Sequence, residues 1–206
     1  MAMTADLALV LALDGSASVT FEEFGLMAGG IAAALRDPAV ASGLTGGRAG
    51  ASLLSLLLWS GRGAQEVLVA WTRIASAAEA AAFADAVENA PRIVRAGNTA
   101  IGEALLAALT LLSNAPAPAA RRIVNVIGDG RSNDGIDPGP VRDRMAAAGI
   151  TVNGLCVLHE EADLLETYRA EVIGGPDCFA LPCADYADFA DAMKQKLRRE
   201  IGKPVA

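Results

Sequence analysis

The chain has 206 residues, 53% of them apolar and 20% charged, which sets it among folded proteins and apart from disordered ones. Its 24 acidic residues outnumber 17 basic ones, and the net charge of −7 argues against nucleic acid as a partner, because phosphate contacts need clustered Lys and Arg. The longest apolar stretches, Leu7–Leu13 and Leu53–Trp59, fall short of the roughly 18–20 residues that span a bilayer, so no membrane span is expected.

Alanine accounts for 44 residues and aromatics for only 4%, so the core must exclude water by close packing of small side chains. Taken in chain order, strand-like and helix-like periods alternate. Leu7–Leu13 is a continuous apolar run, the pattern of a strand buried on both faces. The capping box Thr20-Phe-Glu-Glu23 opens a helix running towards Arg36, before Asp37-Pro38. The glycine-rich stretch Gly43–Arg48 reads as a loop, and it lacks the Lys-Ser/Thr of a phosphate-binding loop. Ala49–Trp59 and Glu66–Thr72 are strands joined by Ser60-Gly-Arg-Gly63, which predicts an antiparallel hairpin.

A second capping box, Ser76-Ala-Ala-Glu79, starts an alanine-rich helix ending near Pro91. Thr99–Ser113 reads as a helix with Ile101, Leu105, Leu109 and Leu112 along one stripe. After the loop Asn114–Ala120 come a strand, Arg122–Ile127, and a short helix with Pro140 in its first turn that stops at Gly149. Thr151–Leu158 is the next strand, followed by a helix around Ala162–Glu171 and a strand-like Cys178–Leu181. The last helix spans Asp185–Ile201, with Tyr186, Phe189, Ala190, Met193 and Leu197 at helical spacing.

This alternation predicts an α/β domain: a doubly wound, mostly parallel central sheet with one antiparallel edge strand and helices on both faces, a Rossmann-like arrangement. No linker divides it, so residues 1–206 are expected to form one domain. Residues 1–5 read as an added start or as the N-terminus of a mature protein, because they lack a basic n-region and a second Met follows the first. Cys156 sits in an apolar run and reads as a buried thiol. Cys178 and Cys183 either pair in an oxidising compartment or serve as small apolar residues, and their spacing does not decide.

In such sheets ligands bind at the carboxyl ends of strands. The first strand ends in Asp14-Gly-Ser16-Ala-Ser18, which alone reads as a strand-to-helix turn or cap, or as an oxygen-lined ligand loop. Arg122–Ile127 leads into Gly128-Asp129-Gly130, placing a second carboxylate at the same edge, and Gly97-Asn-Thr99 brings a hydroxyl at a helix start. Two carboxylates and three hydroxyls are hard ligands suited to Mg²⁺, Mn²⁺ or Ca²⁺. With only two negative charges, a cation held there would stay electrophilic and accept one more carboxylate from outside.

Asp14-x-Ser16-x-Ser18, Thr99 and Asp129 together resemble the metal-ion-dependent adhesion site of von Willebrand factor type A domains, each position matched in order. The resemblance implies that Ser16, Ser18 and Thr99 coordinate the ion through hydroxyls and that Asp14 and Asp129 act directly or through water. It also implies that a partner's Asp or Glu completes the octahedron. The segments Arg121–Gly130, Asn153–Leu158, Val172–Pro176 and Asp188–Ala190 are similar to a bacterial branch of uncharacterised function. That branch usually carries an export signal, which implies a periplasmic or secreted protein, with the cytoplasm as the alternative. Gly128 departs from the adhesion-type pattern, which usually has Thr there, and this bears on the affinity of the site.

Other motifs fail. Asp129–Gly135 lacks the EF-hand pattern, having Arg131 and Asp134 at its third and sixth positions. Asn133, Asp134 and Asp137 read as turn residues beside the site, and His159, flanked by Glu160 and Glu161, as a solvated turn. An aspartyl phosphatase would want Asp where Ser16 stands, and there is no Gly-x-Ser-x-Gly elbow. The expected function is therefore a divalent-metal-dependent protein-binding module and not an enzyme. Loops near Asp129–Pro140 and Phe179–Ala187 would set its specificity. Two alternatives stay open: a metal-assisted hydrolase using the same ion, and a structural domain with a vestigial metal site.

Overall fold

The computed structural model describes residues 4–202 and is built around a six-stranded sheet. Its strands are β1 (Ala5–Asp14), β2 (Ser52–Trp59), β3 (Gln65–Ile74), β4 (Ala119–Gly128), β5 (Ile150–Val157) and β6 (Ala180–Cys183), in the order β3-β2-β1-β4-β5-β6. All neighbours run parallel except β2 and β3, the hairpin expected from the sequence. Of the segment read as an added start, Met1–Met3 lie outside the described residues, and Ala5 already belongs to β1. No helix among the described residues is long and apolar enough to cross a membrane.

The run Leu7–Leu13 hides a period of two. Leu7, Leu9, Leu11 and Leu13 face a core formed with α1 (Phe21–Leu35), α3 (Ala77–Glu88) and α7 (Phe189–Ile201). Ala8, Val10 and Ala12 face the opposite core, built with Ile101, Ala104, Leu105 and Ala108 of α4 (Ile101–Ser113). Large side chains thus fill one layer, while small ones let α4 approach the sheet closely in the other. The helix α1 also needs a small residue, because a Cβ on Gly30 would lie 2.5 Å from the Phe189 ring of α7.

Local signals position the helices. Thr20 and Glu23 close a reciprocal capping box at α1. Asp37-Pro38, read as the stop of α1, also starts α2 (Pro38–Thr45): the Asp37 carboxylate caps Ala39 and Val40 while Pro38 occupies the first turn. The expected loop Gly43–Arg48 therefore begins as the end of a helix. Asp137 and Pro138 do the same for α5 (Pro138–Ala147), two residues before the expected Pro140. The helix expected around Ala162–Glu171 is α6 (Leu164–Thr167) running into a π-helical turn, Tyr168–Val172.

A polar latch that sequence patterning did not show holds α7 to the sheet. Lys196 and Glu200 are buried on α7 and paired with each other. Asn125 of β4 and Asn153 of β5 donate to the Glu200 carboxylate at 2.8 and 2.7 Å, and the Lys196 ammonium donates to Asn125. Burial lowers the Lys196 pKa and the Glu200 charge opposes it. Cys156, Cys178 and Cys183 all carry free thiols.

Candidate metal centre

Strand order reverses between β1 and β4, and the loops leaving those two strands meet at the carboxyl edge of the sheet. Asp14 ends β1, and its Oδ1 accepts the Ser16 amide at 2.7 Å, folding the loop into a tight turn. The turn needs Gly15, whose amide donates to the Trp59 carbonyl at 2.7 Å; a Cβ there would lie 2.9 Å from Leu58. The Ser16 and Ser18 hydroxyls are 3.2 Å apart, and Ser18 donates to Asp129 Oδ1 at 2.7 Å. A hydrogen-bonded chain through the Ser16 amide and the two serine hydroxyls thus links the ends of β1 and β4.

Thr99 joins through a third loop, just before α4 begins at Ile101. The Ala17 amide donates to the Gly97 carbonyl at 2.8 Å, tying this loop to the first. Asn133 clamps Thr99 from the β4–α5 loop: the Thr99 amide donates to Asn133 Oδ1 at 2.8 Å, and the Asn133 amide donates to the Thr99 carbonyl at 2.9 Å. The Thr99 hydroxyl lies 3.8 Å from where a Cβ on Gly130 would sit, against the residue following Asp129. All five oxygen-bearing residues expected from the sequence converge on this edge.

Asp14, Ser16, Thr99 and Asp129 are buried, and Ser18 is exposed, so the cluster opens to solvent on the Ser18 side. Burial pushes the Asp14 carboxyl up to about 7; the Ser16 amide works against this and the Asp129 charge adds to it. Asp14 Oδ2 has no hydrogen-bond partner among the protein atoms. A buried carboxylate oxygen left unpaired beside a second carboxylate is costly, and a cation would relieve both strains. The donor set therefore fits a small hard cation. Among the described residues no three His, Cys, Asp or Glu side chains gather where they could hold a metal ion.

Several contributors carry no sequence signal of their role. The Tyr186 hydroxyl donates to Asp129 Oδ2 at 2.9 Å. The sequence pattern puts Tyr186 on the last helix, but α7 starts at Phe189, because the Asp185 carboxylate accepts the Ala187 and Asp188 amides and turns the chain. Arg92 Nη2 donates to the Gly15 and Ser16 carbonyls at 2.9 and 2.8 Å, pinning the serine loop. The expected turn residues near the site are partly clamps: Asn133 holds Thr99, and Asp134 accepts the Arg62 amide at 3.0 Å. Glu161 forms an ion pair with Arg131 at 2.6 Å, so only part of that turn is merely solvated. His159 is half-exposed, and its ring centroid is 6.3 Å from that of Tyr186.

The same architecture recurs among solved structures. Proximal thread matrix protein 1 from the mussel byssus superposes with a TM-score of 0.69 at 14% identity, over 95% of this chain and 47% of that one. A second structure of that protein, with a zinc-occupied metal-ion-dependent adhesion site, has a TM-score of 0.67 at 15% identity, over 95% and 48%. This chain spans about half the length of the mussel protein. The von Willebrand factor domain of the type V pili tip protein Mfa5 from Porphyromonas gingivalis gives 0.62 at 10% identity, over 98% and 97%. No curated protein matches the chain. A family described as protein of unknown function DUF1194 matches residues 4–205. The chain belongs to that family, and its fold is that of a von Willebrand factor type A domain.

Proposed function

We propose that the chain is a divalent-cation-dependent protein-binding module. Ser16, Ser18 and Thr99 would offer hydroxyl oxygens, and Asp14 and Asp129 carboxylates, to one Mg²⁺, Mn²⁺ or Ca²⁺ ion. The carrying observation is the hydrogen-bonded chain from Asp14 through the Ser16 amide and the Ser16 and Ser18 hydroxyls to Asp129, with Asp14 Oδ2 left unpaired beside it. Neutral hydroxyls form most of the set, so the bound ion keeps charge to attract an Asp or Glu from a protein partner. The net charge of −7 makes an acidic partner's approach unfavourable without that ion.

The likeness to a mussel matrix protein and a pilus tip protein supports an adhesive or scaffolding role, and with it a periplasmic or secreted location. The vestigial alternative predicts no cation binding. The hydrolase alternative would use the same oxygens, but the Ser16 and Ser18 hydroxyls contact each other and Asp129, with no histidine among their hydrogen-bond partners. Selection from a displayed peptide library in Mg²⁺, with parallel chelator and ester-turnover arms, tests the reading. Capture should enrich peptides bearing Asp or Glu and be lost with chelator or in Asp129→Ala. Equal capture in excess chelator contradicts it, and ester turnover lost in Ser16→Ala would replace it with the hydrolase.

A further inference from the structure

Two buried oxygens without hydrogen-bond partners border one small space: Asp14 Oδ2 and the Tyr168 hydroxyl. A methyl carbon placed on Gly128 would lie 2.8 Å from the first and 3.0 Å from the second. Gly128 ends β4, so the tyrosine hydroxyl reaches the metal centre across the last residue of that strand. A second glycine makes room for the ring, since a Cβ on Gly154 of β5 would lie 2.6 Å from Tyr168 Cδ1. The register pairs Gly154 with Val126 and Gly128 with Cys156, which sets the two glycines on adjacent strands. Tyr168 also opens the π-helical turn Tyr168–Val172, the kind of local insertion that re-aims a side chain.

Packing alone does not account for this residue. Phenylalanine would fill the same slot without the penalty of burying a hydroxyl that lacks a partner. The other carboxylate of the centre shows what such a hydroxyl does. Asp129 has Oδ1 held by Ser18 and Oδ2 held by the Tyr186 hydroxyl at 2.9 Å. Asp14 has Oδ1 held by the Ser16 amide, and the Tyr168 hydroxyl is the nearby phenol facing the side of Oδ2.

We propose that Tyr168 is a positioning residue of the cation site, its hydroxyl donating across Gly128 to Asp14 Oδ2 in the cation-loaded protein. A phenol suits this task because it is a donor without charge. It fixes the carboxylate plane while leaving both negative charges available to the ion, which an Arg or Lys there would neutralise. The two carboxylates are then held alike, each by one donor from the serine loop and one tyrosine hydroxyl. The proposal rests on the cation-binding reading above.

The chain has two tyrosines, so protein labelled at tyrosine Cζ with ¹³C gives two resonances, and Tyr168→Phe identifies them. Titrating Mg²⁺ should move the Tyr168 resonance as its hydroxyl gains an acceptor. Calorimetric titration with Mn²⁺ should show Tyr168→Phe binding about tenfold more weakly, with metal-free thermal stability equal to or above wild type. Wild-type binding with an unmoved Tyr168 resonance and equal affinity in Tyr168→Phe would overturn the role of Tyr168 alone. Absence of any binding by the wild type would overturn the cation site and this role with it. Tyr186→Phe assigns the two resonances independently, so the shift on the wild-type chain is readable even if Tyr168→Phe folds poorly.

Discussion

The Asp14 carboxylate is fully buried, holds one loop amide through Oδ1, and leaves Oδ2 without a partner next to Asp129. Burial pushes its pKa up to about 7, so ionising it in the cation-free protein opposes the fold. Asp14→Asn keeps the shape and removes the charge. At neutral pH without cations it should raise stability by about 1–3 kcal/mol, measured by urea denaturation. The same variant should lose the stabilisation that Mg²⁺ gives the wild type. A variant less stable than wild type in chelator would show that Asp14 is a structural anchor instead. The five residues are legible in the sequence because they fall at the end of β1 and in the loop after it, just after β4, or just before α4. Their tyrosine and Arg92 contacts are not, since those side chains arrive from elements distant in the chain and carry no spacing of their own.

Elements explain why the loops stay in register with the sheet. The α7 helix carries Lys196 and Glu200 buried against Asn125 and Asn153, so β4, β5 and α7 share one polar network. Lys196→Met leaves the Glu200 carboxylate buried without its cation, and should cost about 3–5 kcal/mol in urea denaturation. The double variant Lys196→Met/Glu200→Gln removes both charges and should recover more than half of that loss. Equal losses in the single and double variants would mean that volume, not charge, governs the site. Capping signals made α1 and α3 readable, and the apolar run made β1 readable. The short helix α2 was hidden, because the Asp37-Pro38 that ends α1 by sequence rule is also a cap with proline in the first turn. The spacing of Tyr186 fits the apolar stripe of α7, but the Asp185 turn decides the local chain path and keeps Tyr186 outside that helix.

Across the whole molecule, the parallel strands bring the ends of β1 and β4 to one edge, and the reversal of strand order between them makes the crevice. The alternation of elements was enough to read this topology, because right-handed crossovers leave few other arrangements. The 44 alanines fit the same picture, with Ala8 and Ala12 facing Ala104 and Ala108 of α4 in a closely packed layer. Most carboxylates are solvated, while Asp6, Asp14, Asp129 and Glu200 are buried, and of these Asp14 and Asp129 lie at the crevice where the proposed cation would sit. Isothermal titration of chelator-treated protein with Mg²⁺ and Mn²⁺ asks whether the hydroxyl-rich crevice binds one divalent ion. One ion should bind per chain, with a thermal shift that grows with the logarithm of ion concentration, both lost in Ser16→Ala with an unchanged circular dichroism spectrum. No heat and no shift at millimolar ion, or binding that survives Ser16→Ala unaltered, would contradict the cation site.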